Sequence, residues 1–281
     1  MQDLTPALDP SCLHALLHLR LRRRELPETS RLTANEIFEQ VESNAHDEVR
    51  RTPHALAFSG LAGGITMGLT GLAVATAKAA LPEHAGSFIP YLFYPLGFIA
   101  VIIGRAQLFT ENTLYPVALI LSERKHVADT LRLWAIVFVS NVLGACAFSA
   151  LAVKTSSLKP DIAEYLVKLG QEALLGSSAH IFWSGVIGGW MIALVAWMVS
   201  ASSWTIGQIA VIWLLTFIVG LGHFSHCIAT SGEILAAVFS GVVPLEAYVK
   251  WLLFATAGNI TGGIFIVTLL NFGQVKAGET T

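Results

Sequence analysis

The chain has 281 residues, 54% of them hydrophobic and only 13% charged, with a formal net charge of −2. That composition, with a mean hydropathy of +0.64, is too apolar for a soluble domain of this length and gives no basic surface for nucleic acid, so the expected partner is a lipid bilayer. Apolar stretches able to cross a hydrocarbon core of about 30 Å, which takes roughly 20 helical residues, lie at about 54–80, 88–121, 129–153, 178–200, 207–239 and 251–271.

The first 52 residues read as a cytoplasmic arm. Residues 12–26, CLHALLHLRLRRREL, have no small-residue cleavage site after an apolar core of adequate length, so they are not a signal peptide. A Thr33 to Glu36 capping box, Ile37 and Val41 four apart, and a stop before Pro53 predict a short amphipathic helix leading into the first span. Arg20, Arg22, Arg23, Arg24, Arg31, Arg50 and Arg51 precede that span, and Arg124, Lys125 and Arg132 lie between the second and third. By the positive-inside rule both termini are cytoplasmic, with residues 273–281 as a C-terminal tail. Lys78, near the outer end of the first span, is expected to snorkel toward water.

The second and fifth apolar segments are too long for one ordinary span, and each is interrupted. The first interruption is Arg105-Ala106-Gln107-Leu108-Phe109-Thr110-Glu111-Asn112. The other is GHFSHCIATSG, running from Gly222 to Gly232, where Gly220, Gly222 and Gly232 are expected to permit the backbone turns and Ser225, Thr230 and Ser231 to recap freed groups. Period-2 alternation is absent, so the fold class is all-α integral membrane rather than barrel.

The spans also repeat. SGLAGG at Ser59–Gly64 recurs as SGVIGG at Ser184–Gly189, and Asn141-Val142-Leu143-Gly144 recurs as Asn259-Ile260-Thr261-Gly262, about 120 residues on and in the same order. The repeats cover about 54–153 and 178–271 within a channel domain at 53–272. Three spans per repeat force the second half to enter the membrane upside down, an inverted 3+3 arrangement with broken helices two and five. Backbone can break at membrane depth only where it faces protein or a watery path, so the two breaks should meet, and half-helix N-termini there suit a small anion.

His226 lies in the second break and is read as functional, because an intramembrane ionisable group usually faces a pathway. His223 is read as an interhelical hydrogen-bonding residue. Arg105 and Glu111 have two readings left open: an ion pair stitching the break to a neighbour, or direct attraction of anions. Glu233 is similarly open. Cys12, Cys146 and Cys227 have no metal-ligand spacing and read as small apolar residues, so neither a metal, a cofactor nor a disulfide is expected.

Six spans, Leu108-Phe109-Thr110 in an interrupted second helix, His226-Cys227-Ile228-Ala229 in an interrupted fifth, and Asn-x-x-Gly in the third and sixth resemble the formate/nitrite transporter family. The resemblance covers about residues 35–272 and marks a divergent branch, since Ser225 stands where formate channels have an acidic residue and Thr230 where they have Asn. It implies an aquaporin-like protomer, a homopentamer in a bacterial inner membrane, and passage of small monovalent weak-acid anions with protons. By motif it makes His226 the central pore histidine, Thr110 its hydroxyl partner, and Leu108 and Phe109 an apolar constriction, while Phe98 and Tyr94, earlier in the same span, would line the path by position. His226 would then exchange a proton with the anion or attract it electrostatically. The alternative is a neutral-solute channel of the aquaporin type, although its Asn-Pro-Ala pair is absent. An enzyme is not expected: there is no His-Glu-x-x-His, and Ser231-Gly232 lacks the setting of an intramembrane serine protease.

Overall fold

The computed structural model describes residues 31–82 and 86–278. The arm segment at 12–26, Cys12, the arginines from Arg20 to Arg24 and residues 279–281 lie outside the described residues. Among those described, the regular structure is entirely helical.

Helix α1 (Ala34–Arg50) buries Phe38, Val41, Ala45 and Val49 along one face, the three-to-four spacing of an amphipathic helix. Phe38 and Val41 join Leu114, Ala118, Ala193 and Trp197 in one apolar cluster, while Ala45 and Val49 belong to the main core. The next helix, α2 (Pro53–Met67), starts sharply because Thr52 Oγ1 accepts the Ala55 N–H at 3.3 Å and Pro53 occupies the first turn. It runs through Gly68 into α3 (Leu69–Ala80).

The second apolar segment is in pieces: a 3₁₀ turn at Ile89–Phe93, α4 (Pro95–Ile103), a loop, a 3₁₀ turn at Glu111–Thr113 and α5 (Tyr115–Glu123). Helices α6 (Val127–Lys154), α7 (Pro160–Glu172) and α8 (Ser178–Ser200) follow. The fifth segment is broken in its turn, as α9 (Thr205–Leu221), a loop and α10 (Ala229–Phe239). The last stretch is α11 (Leu245–Thr261), a π-helical section at Gly262–Thr268 and α12 (Leu269–Gly278).

Four stretches are long and apolar enough to cross a membrane by length and composition: Pro53–Ala80, Val127–Lys154, Ser178–Ser200 and Leu245–Gly278. The shorter apolar helices are Ile89–Ile103, Thr205–Leu221 and Ala229–Phe239. Large apolar side chains stand exposed on many of these elements, among them Phe58, Leu143, Trp183, Leu214 and Phe265, as expected of surfaces that face lipid or other subunits.

Two helix pairs form the frame: α2 packs along α6, and α8 packs along α11. Both depend on backbone approach without side chains. A Cβ on Gly64 would strike the Asn141 carbonyl, and one on Gly189 would strike that of Asn259. Small residues at helix crossings serve this purpose where no hydrophobic effect drives helices together.

The chain leaves α4 and α9 in the same way. Ala106 N donates to Val101 O at 3.1 Å, and Phe224 N donates to Val219 O at 3.0 Å. The residue before each donor is left-handed: Arg105 at φ 58 and His223 at φ 51. This corrects the glycine expectation. Gly222 is right-handed at φ −83, and the turn is made by the histidine after it, at a cost an L-residue accepts only when its surroundings hold it. Gly220 serves close packing instead, since a Cβ there would lie 2.5 Å from Cγ of Tyr94.

Candidate functional site

Freed backbone at a helix break needs partners, and two asparagines supply them. Asn141 Oδ1 accepts the Phe109 N–H at 2.9 Å, while its Nδ2 donates to Gly60 O at 2.7 Å and Gln107 O at 2.9 Å. Asn259 Oδ1 accepts the Cys227 N–H at 2.9 Å, while its Nδ2 donates to Gly185 O and Ser225 O, both at 2.8 Å. Two serines complete the match. Ser59 Oγ accepts the Gln107 N–H at 3.1 Å, and Ser184 Oγ accepts the Ser225 N–H at 3.0 Å. The SG-x-x-GG and Asn-x-x-Gly motifs are therefore the clamps of the two breaks: they bond the loop N–H groups of Gln107, Phe109, Ser225 and Cys227 and the loop carbonyls of Gln107 and Ser225, and tie them to the Gly60 and Gly185 carbonyls of α2 and α8.

The clamps bring His226 and Thr110 together. Both are fully buried, with His226 Nε2 2.8 Å from Thr110 Oγ1. Helix α10 opens at Ala229, and that residue's N–H donates to His226 Nδ1 at 3.0 Å. A ring nitrogen that accepts a backbone N–H carries no proton, so the ring is neutral with its hydrogen on Nε2, directed at the threonine oxygen. The Thr110 hydroxyl hydrogen is then left to point elsewhere, while its backbone carbonyl accepts Thr113 Oγ1 at 2.8 Å.

Phe98 and Leu108 are buried to 0% and 1% exposure. The Phe98 ring meets the His226 ring edge-on at 5.1 Å, and Tyr94 continues the aromatic row at 5.8 Å from Phe98. Phe109 is buried too, but its ring lies against Trp134 and Phe138 of α6, at 5.7 and 5.0 Å.

Two small cavities draw on the two breaks. One, of about 90 Å³, is lined by Asn44 and Glu48 of α1 with Arg105, Gln107, Leu108 and Glu111. The other, of about 40 Å³, is lined by Tyr91, Tyr94, His223, Ser225, Thr230 and Glu233. His226 and Thr110 line neither.

Arg105 and Glu111 face the first cavity together, and the ion pairs among the described residues do not join them. The polar partner from α1 is instead Glu48, which accepts from Gln107 Nε2 at 2.6 Å and pairs with Arg51 at 3.1 Å. Gln107 in turn accepts Asn112 Nδ2 at 2.8 Å, so α1 is tied to the first break by a chain of side chains. Sequence reading missed Glu48 in this role, because nothing local distinguishes it from the other acids of α1.

At the second cavity, His223 Nε2 lies 3.2 Å from Tyr91 Oη. Lys78, in the last turn of α3, has partners beside it. Its Nζ is 4.0 Å from a Glu172 carboxylate oxygen and 5.4 Å above the Tyr91 ring, because a carboxylate and an aromatic face lie within reach of the buried stem. Glu233 is 7% exposed and lines this cavity. Tyr91 is the residue here that no sequence motif signalled.

The family model described as formate/nitrite transporter matches residues 35–273. The inner membrane protein YfdC of Escherichia coli K12 is 33% identical over 248 residues, 85% of this chain and 78% of that protein. A probable formate transporter of Methanothermobacter thermautotrophicus is 30% identical over 239 residues, 79% of this chain and 85% of that protein. Among solved structures, a pentameric formate channel with formate bound superposes with a TM-score of 0.66 at 18% identity, over 79% of this chain and 97% of that one.

Proposed function

The chain belongs to the formate/nitrite transporter family, an anion channel or transporter of the membrane, and we propose that it passes small monovalent weak-acid anions such as formate or nitrite through a pore in each protomer. The protomer has six spans in two inverted halves. Four are the long helices, and two are assembled from the broken pairs α4 with α5 and α9 with α10. The matched asparagine and serine clamps support this reading, since one scheme of side chain to backbone bonds serves both breaks. The protein acts as a homopentamer in an inner membrane with both termini cytoplasmic, and it transports rather than catalyses.

The pore passes His226 and Thr110. Stripping water from an anion costs several kcal/mol in an apolar ring, and a buried donor offsets part of that cost. With Nε2–H given to Thr110 Oγ1, the threonine hydroxyl becomes a polarised donor aimed at the arriving anion. A second proton on His226 would require Nδ1 to give up the Ala229 N–H. The neutral histidine therefore works as a fixed dipole, and the anion takes its proton from hydronium supplied by bulk water, which leaves the neutral acid and one water. Leu108 and Phe98 keep the remaining wall apolar, so the neutral acid crosses more readily than the ion.

The observation that carries this reading is the doubly engaged ring of His226, bonded through Nδ1 to Ala229 and through Nε2 to Thr110. The test is His226→Asn in sealed proteoliposomes. Formate or nitrite flux should fall sharply with assembly and expression unchanged. Wild-type flux in that variant would leave His226 as a structural hydrogen-bonding residue.

A further inference from the structure

On the face that α1 shares with the turn between α5 and α6, two histidines and a carboxylate converge away from the pore. His46 Nε2 is 2.8 Å from Glu123 Oε1, and His126 Nε2 is 3.2 Å from Glu123 Oε2. The two imidazole rings stand edge-to-face with centroids 6.0 Å apart. One ligand atom from each of the three residues can be chosen so that all lie within 4.8 Å of one another, and each residue is half-buried. From this geometry we propose that His46, Glu123 and His126 form a binding site for a divalent first-row transition ion, with zinc as the reference case.

The chemistry fits in three respects. Two imidazole nitrogens and one carboxylate oxygen are the donor set that zinc takes at about 2.0–2.2 Å, leaving a fourth position for water. The ion would replace the two Nε2 protons that now face Glu123, so modest side-chain rotations close the set without moving a helix. The second nitrogen of His126 is also held, with Nδ1 3.4 Å from Asp129 Oδ2. A carboxylate behind the distal nitrogen is the arrangement that fixes the tautomer of a metal-binding histidine. Asp129 is positioned in its turn by Arg132 at 3.8 Å, and Arg132 donates to the Val49 carbonyl of α1 at 2.7 Å.

The turn is bent to make this possible. Arg124 and His126 are both left-handed, at φ 54 and φ 66, which folds His126 back over Glu123. Because His46 is on α1 and the other two donors border α6, no local spacing in the sequence reveals the set. A bound ion would pin α1 to the α5–α6 turn, and this inference stands apart from the transport reading.

The experiment uses the full chain in mild detergent, stripped with a chelator and titrated with Co²⁺, whose visible d–d absorption reports a protein-bound site of low coordination. Wild type should bind one Co²⁺ per chain, release it to Zn²⁺ in competition, and melt at a higher temperature with Zn²⁺ than without. His46→Ala, Glu123→Gln and His126→Ala should each abolish the band, and Asp129→Asn should weaken binding by about 10–100-fold. His54→Ala, outside the set, should bind as wild type does. The absence of a band in wild type would overturn the site, and so would undiminished binding in any one folded ligand variant, the three substitutions lying in different elements or at different positions of the turn.

Discussion

A histidine in the middle of an apolar run is conspicuous in sequence, because hydrocarbon tolerates an ionisable group only for a reason. What the run could not convey is which ring nitrogen carries the proton. The Ala229 N–H fixes that, by occupying Nδ1 and leaving Nε2–H for Thr110. In the proposed pore Thr110 is then the group that meets the anion, and its hydroxyl and its shape can be separated by substitution. Thr110→Ser keeps the hydroxyl and should retain most anion flux. Thr110→Val keeps the shape and should lower flux by about tenfold or more, given that a hydrogen bond to a charged partner is worth about 1.5–3 kcal/mol. Equal flux in the two variants, measured in liposomes at matched protein density, would remove the hydroxyl from the mechanism. The His223 and Tyr91 contact at 3.2 Å was not legible in the same way. Tyr91 sits in a 3₁₀ turn that apolar periodicity does not mark, and its partner lies in the other half of the chain.

The breaks were legible as places before they were legible as structures. Polar residues inside segments too long for one span located both loops, and the repeated Asn-x-x-Gly and SG-x-x-GG motifs marked the elements that brace them. Their role as clamps needs the three-dimensional register, since Asn259 lies 32 residues beyond the N–H it accepts. The turn chemistry was misleading for a physical reason. Glycine is the expected left-handed residue, yet Arg105 and His223 take that conformation, held by the 3.1 and 3.0 Å bonds that close the turns just after them. If the clamps hold the breaks open, Asn259→Ala should leave the Cys227 N–H and the Ser225 carbonyl buried without partners, at about 1–3 kcal/mol each. Membrane proteins often recover part of such a loss, so the net cost should be toward the lower end. Thermal unfolding of the detergent-solubilised protein should show a clear drop in Tm for Asn259→Ala. An unchanged Tm in Asn259→Ala would show that the second break does not depend on its clamp.

Two properties belong to the assembled molecule. Exposed Phe58, Trp183, Leu214, Leu253 and Phe265 leave more apolar surface than a single chain in water could carry, and in the proposed pentamer lipid and neighbouring protomers divide it between them. Native mass measurement in mild detergent should give five times the 30.2 kDa chain, and a spectrum of monomers alone would count against the pentamer. The other property is selectivity, which follows from the whole path rather than one contact. In the proposed pore, buried Phe98 and Leu108 with a neutral, doubly bonded His226 offer one polarised hydroxyl and no fixed cation at the point the anion must pass. A monovalent weak acid can shed its charge there by taking one proton, after which the apolar wall no longer opposes it. Sulfate cannot, since one proton leaves it an anion and its second is lost far too readily to be held near neutral pH. In proteoliposomes, formate and nitrite should therefore enter faster as the outer pH falls, while sulfate uptake stays at the level of empty vesicles at every pH. Sulfate entry comparable to formate would mean that the path solvates a full charge along its length, and the apolar wall around His226 could not be what selects the substrate.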